Sequence, residues 1–105
     1  DAHEVALREG HLVIGAAVAR EVFGNALTAL MVYYPQRHTL LLAHVSDEAF
    51  KSMHKAEQGL LKVRNKRGDL AISIQAILVD HQIDDTDRSL PFDAPPGSRL
   101  LKVHL

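Results

Sequence analysis

Apolar and polar residues alternate on both sides of Glu9-Gly10 in "VALREGHLVI", the pattern of two short strands joined by a two-residue turn. Such a turn pairs Leu7 with Leu12 and Val5 with Ile14 on one face, and Arg8 with His11 and Glu4 with Gly15 on the other. A slip of one residue would move every apolar side chain to the polar face, so the pattern fixes the register. "REVFGNALTALMVYYP" repeats the logic around Gly24-Asn25 and would pair Val22 with Leu27, Val18 with Met31 and Ala16 with Tyr33, leaving Gly15 opposite Tyr34. The competing reading is a helix over residues 13–23 that stops at Gly24, because alanine-rich segments propagate helix well. Strands are preferred because the turns on both sides support them. "YYPQRHTLLLAHV" supplies a third hairpin, with Pro35 placed where its fixed φ suits a type I turn and Leu40 and Leu42 joining Met31 and Tyr33.

These hairpins predict an antiparallel meander over residues 3–45, burying Leu12, Ile14, Val18, Leu27, Met31, Leu40 and Leu42 on one face. A sheet with one apolar face needs a covering layer. "VSDEAFKSMHKAEQGLL" provides a helix, with Ser46 as N-cap, Asp47 and Glu48 in the first turn, and Phe50, Met53 and either His54 or Glu57 facing inward. Gly59 is expected to end or kink it. Residues 69–83 alternate like a strand at first and then suit a helix from near Ser73; a hairpin through "VRNKRGDL" is the alternative. "LPFDAPPGS" reads as an irregular loop and "RLLKVHL" as a closing strand. No internal repeat is visible. The expected fold class is α+β in a single domain, residues 1–105: an antiparallel β-meander of about four strands plus a C-terminal strand, with one face covered by one or two helices.

Bulk properties add bounds. A hydrophobic fraction of 47% and a charged fraction of 24% belong to a globular chain, and 105 residues suffice for one core. The net charge of −1 gives no general attraction to nucleic acid or to an anionic membrane. The absence of cysteine removes disulfides, thiolate metal sites and cysteine nucleophiles. No apolar run approaches the ~20 residues of a membrane span. The chain opens on Asp1 rather than Met, which points to trimming, processing or a segment of something longer. A cytoplasmic setting is expected.

The densest chemistry is "DHQIDDTDR", which places His81 among Asp80, Asp84, Asp85 and Asp87. Calcium loops need a turn glycine and a later glutamate, and neither is present at the right place. Asx-turns explain Asp84, Asp85 and Thr86 without a ligand. Zinc is not favoured by the seven histidines, which form no H-x-H, H-x₃-H or H-E-x-x-H pair. His38 and His44 lie ~20 Å apart along a strand. There is no G-x-S-x-G elbow and no glycine-rich phosphate loop. Residues 51–67 hold six of the twelve basic residues, and Lys62, Arg64, Lys66 and Arg67 form a candidate contact surface for nucleic acid. That segment lacks aromatic residues for base stacking.

What remains is a small non-enzymatic domain that binds a protein or small ligand, needs no cofactor and no metal, and contacts neither membrane nor nucleic acid. The second face of the meander, with Ala17, Ala19, Leu30, Val32 and Leu41, is apolar enough to pack against another chain. A homo-oligomer is therefore expected, a dimer before others, through this face or through an open strand edge. The alternatives are a nucleic-acid-binding module using residues 62–67 and a small metal-dependent enzyme using His81 with the aspartates of 80–87.

Overall fold

The computed structural model describes residues 1–105, and it is α+β: three short helices and two antiparallel sheets of five strands each. The first hairpin joins β1 (Val5–Arg8) to β2 (His11–Ile14) in the expected register, Val5 opposite Ile14 and Leu7 opposite Leu12. Glu9 and Gly10 both have positive φ, 48° and 77°, the geometry of a two-residue turn whose twist matches that of strands. The third hairpin also forms as expected, β3 (Thr28–Tyr34) with β4 (Thr39–His44), and its register sets Met31 opposite Leu42 and Tyr33 opposite Leu40.

The segment between them differs. Residues 16–23 form a helix, α1 (Ala16–Phe23), so the meander is broken into two hairpins and Gly15 pairs with Glu4 rather than with Tyr34. Val18, Ala19, Val22 and Phe23 fall on one buried helical face, and Gly24 stops the helix at φ 56°, a conformation that favours glycine. Leu27 consequently lies outside the core and is 75% exposed.

Breaking the meander lets its two hairpins face one another. The first sheet runs β6-β7-β2-β1-β8 and the second β5-β3-β4-β10-β9. Here β5 is Glu57–Leu60, β6 Lys62–Val63, β7 Leu70–Ser73, β8 Arg88–Ser89, β9 Phe92–Asp93 and β10 Leu100–His104. Both readings of residues 69–83 are present, a strand followed by a helix, α3 (Gln75–Asp80), with the hairpin through residues 64–69 as well. Segments 57–63 and 88–93 each pair into both sheets, so the strand order closes on itself. The core lies between the sheets, with Leu7, Leu12, Ile14 and Ile72 on one side and Leu40, Leu42, Leu101 and Val103 on the other.

The architecture contains a repeat that the sequence conceals. Each half runs hairpin, helix, hairpin: β1, β2, α1, β3, β4 and then 57–63, β7, α3, 88–93, β10. The pairing is symmetric under exchange of halves, since β2 pairs with β7, β4 with β10, β1 with 88–93 and β3 with 57–63. Each tight turn also secures the start of the other half's helix. Gly10 C=O accepts from Ile74 N–H at 3.0 Å, and Asp69 Oδ1 accepts from Ala16 N–H at 2.8 Å.

The remaining helix, α2 (Glu48–His54), separates the halves; its N-cap is Asp47, whose Oδ1 accepts from Phe50 N–H, and not Ser46. It ends at Lys55, before Gly59. It covers the face opposite to the one expected: Phe50 packs on Leu30 and Ala43, with Val32 and Leu41 around them. His54 completes this contact by stacking on Phe50 at 4.5 Å, while Met53 points outward, 76% exposed.

Gly59 sits in β5, where segment 57–63 crosses from one sheet to the other over Ile72. A Cβ at Gly59 would lie 2.5 Å from Ile72 Cδ1. Gly59→Ala is therefore expected to destabilise by about 1–3 kcal/mol through overpacking. Ile72→Val removes that terminal carbon and should ease the clash, leaving the closest approach at the 3.0 Å of Cγ1. The double variant, measured by urea unfolding, should be more stable than the sum of the two single effects. Strict additivity would show that Gly59 and Ile72 do not press on one another at the crossing.

Candidate functional site

The sequence-predicted candidates are dispersed by the fold. Asp84 Oδ1 accepts from Thr86 N–H at 2.9 Å and from its hydroxyl at 2.6 Å, an Asx-turn that holds the Asp84 carboxyl below its ordinary pKa. Asp87 Oδ1 accepts from Glu9 N–H across the molecule, and Asp85 lies on the far side of α3 with Gln82 and Ile83. His81 turns instead toward Tyr33, with ring centroids 4.8 Å apart. No three His, Asp or Glu side chains converge as metal ligands.

The basic segment lies at the outer face of the first sheet. Arg67 is committed to Asp69, while Arg64 lines a shallow depression of about 260 Å³ together with Arg8, Glu4 and Asp69. Lys62 and Lys66 are exposed nearby. The depression thus mixes both signs of charge. Asp69 is 5% exposed and holds the local structure: besides Ala16 N–H it accepts from Asn65 Nδ2 at 3.0 Å and Arg67 Nε at 3.0 Å. The Arg67 contact above all, with those of Asn65 and Ala16, keeps its carboxyl well below the usual carboxylate range despite burial.

The five residues expected to form an oligomer face do not share one surface. Ala17 and Ala19 belong to α1, and Ala19 is buried in the core. Leu30 is buried beneath Phe50, with Val32 and Leu41 beside it. The reason is α2, which occupies the sheet face that would otherwise be bare.

A serine–histidine pair also emerges: the Ser46 hydroxyl and His44 Nδ1 are 2.8 Å apart, and Ser46 N–H donates to the same nitrogen at 3.1 Å. Partial burial, and then the neighbouring Arg99 charge, lower the His44 pKa. This is a turn across two residues, and no carboxylate orients the imidazole, since Asp47 caps α2. It lacks the third member of a nucleophilic triad.

A cleft of about 400 Å³ between β5 and α3 brings together residues from three distant stretches of chain. Met31, Ile74 and Ile77 form its apolar floor, Tyr33 and His81 meet at one side, and Lys55, Glu57 and Asp80 stand at the rim. Ile74 is buried, Met31, Tyr33 and Ile77 are half-buried, and the rim is exposed. An apolar floor with an aromatic wall and a few polar groups at the edge is the usual make-up of a binding pocket. Spacing along the sequence gives no sign of it, because Tyr33, Lys55 and His81 are joined only by the fold. No helix in the chain is long and apolar enough to cross a membrane. No family model matches the chain, and no characterised protein or solved structure does.

Proposed function

We propose that this chain is a small non-enzymatic binding domain that takes its partner in the cleft between β5 and α3. The observation that carries this reading is the half-buried Tyr33 ring, packed at a tilt against His81 beside the apolar floor of Met31 and Ile77. An aromatic ring held by packing offers contact area at little entropic cost, which is why such residues dominate binding energies. No side-chain hydrogen bond joins Ser73 to His81 or Asp80 in the cleft and no metal-ligand cluster forms there, so the charged rim serves orientation better than catalysis.

Amide-detected NMR with a fragment library tests this reading. Binders are expected to shift Tyr33, Lys55, Gly59 and His81 together, and Tyr33→Ala should weaken them by about tenfold. Binders that leave these amides still and move Arg8 and Arg64 would relocate the site to the outer face of the first sheet. Salt-dependent shifts at Lys62, Arg64, Lys66 and Arg67 on adding a single-stranded oligonucleotide would favour the nucleic-acid reading instead.

A further inference from the structure

We infer that the occupant of this cleft is an extended segment of a partner protein, added as a strand to the open edge of β5; the inference rests on the cleft being the binding site. In an antiparallel ladder successive residues direct their N–H and C=O to opposite sides. Leu61 N–H donates to Leu27 C=O at 2.9 Å, in the register that pairs Gly59 with Ala29 and Glu57 with Met31. Residues 57, 59 and 61 therefore turn their backbone toward β3, and Gln58 and Leu60 turn theirs away.

Further along the same segment, Arg64 N–H donates to Asp69 C=O at 2.7 Å, continuing the register of Lys62 with Ala71. The next such pair would be Leu60 with Ser73, but the ladder stops at Lys62. Segment 57–63 has by then swung across to β3, and a wedge opens between Gln58 and Leu60 on one side and Ser73 and α3 on the other. The cleft is that wedge, since Gln58, Gly59, Ser73 and Ile77 all line it. Gln58 and Leu60 pair only with β3, and Ser73 only with β2.

Gln58 in the groove and Leu60 just beyond its lining, spaced by one and each with N–H and C=O turned away from β3, match the repeat of an added strand. A segment spanning Gln58 and Leu60 needs three or four residues, roughly 10–13 Å. Its alternate side chains would face Met31 and Ile77, so an apolar residue is required at every second position. The tyrosine and histidine then close the groove at its end.

The test uses the intact chain and a phage-displayed library of random dodecapeptides. A selected peptide is synthesised and N-methylated one position at a time. Alternate positions are expected to lose at least about tenfold in affinity and the intervening ones little, because only alternate N–H groups face β5. Gln58→Pro should abolish binding with little change in Tm, since the N–H that it removes points away from β3 and proline is tolerated at such edges. Should Gln58→Pro fail to fold, the N-methyl pattern decides alone. Uniform tolerance of N-methylation, unchanged affinity with folded Gln58→Pro, or no peptide recovered at the cleft would overturn the inference. Small molecules filling the cleft where peptides do not would overturn it while leaving the binding-domain reading intact. Dimerisation through residues 57–60, abolished by Gln58→Pro, would replace the partner by a second copy and equally overturn it.

Discussion

Leu42→Ala is expected to destabilise the protein by about 2–5 kcal/mol, the range for truncating a fully buried leucine in a core that cannot collapse around the gap. Leu42 is fully buried, pairs laterally with Met31 and Leu101, and faces the first sheet across the core. Its surroundings come from both sheets, so no single element can move to fill the cavity. Leu27 is the informative comparison. The alternating pattern places Leu27 and Leu42 on one buried face, whereas the fold leaves Leu27 75% exposed. Leu27→Ala should therefore change stability by no more than about 0.5 kcal/mol. Urea unfolding of both variants decides between the two arrangements. Similar large losses at both positions would restore the unbroken meander; a loss of about 1 kcal/mol or less at Leu42 would place it outside the core.

The first hairpin with its register, and the shared face of Met31, Tyr33, Leu40 and Leu42 in the third, were readable because their determinants are local. In 5–14 the turn residues and the period-two pattern agree, and each alone would give the same pairing; in 29–44 the period-two pattern gives the shared face. Residues 16–23 were not readable in this way. Ala16, Val18 and Val22 alternate as well as they fall on a helical face, and Gly24-Asn25 serves equally as a hairpin turn or as a helix stop. What separates the two is tertiary: as a helix, the segment buries Ala19 and Phe23 along with the valines and frees the first hairpin to lie over the second. One misassigned element thus inverted the sheet. The face expected to be bare received α2, and the face expected to receive α2 received a second sheet.

A similar division holds for chemistry. The Asx-turn at Asp84 was legible because its partners lie two residues away. The cleft was not, because Tyr33 and His81 belong to opposite halves of a repeat that no sequence pattern marks, and Gly59 reads as a helix terminator until Ile72 is seen beneath it. Asp69 carried no signal at all in "RNKRGDL", where an aspartate beside a glycine is ordinary turn composition. Its function depends on Ala16, 53 residues earlier in the chain.

Replacing Asp69 is the second change expected to act strongly, and it acts by a different mechanism. Asp69→Ala strands the Ala16 N–H at the start of α1 and removes the acceptor for Asn65 and Arg67. Hydrogen bonds to a buried charged group contribute more than neutral ones, and losing this acceptor should cost about 3 kcal/mol. The figure lies at the low end for a broken buried pair because the Arg67 side chain is 50% exposed and water can take over its charge. Arg67→Ala should accordingly cost less than Asp69→Ala, since Ala16 and Asn65 still satisfy the carboxylate. The sign of the pH dependence follows from the depressed folded pKa. The stability contributed by Asp69 is fully present above the unfolded value of about 4 and drains away as the pH falls toward the folded one. Asp69→Asn keeps an oxygen for Ala16 but cannot titrate. The stability difference between wild type and Asp69→Asn should thus be constant from pH 7 to about pH 5 and shrink below about pH 4. A difference that stays level down to pH 2 would mean that the Asp69 charge takes no part in joining the two halves.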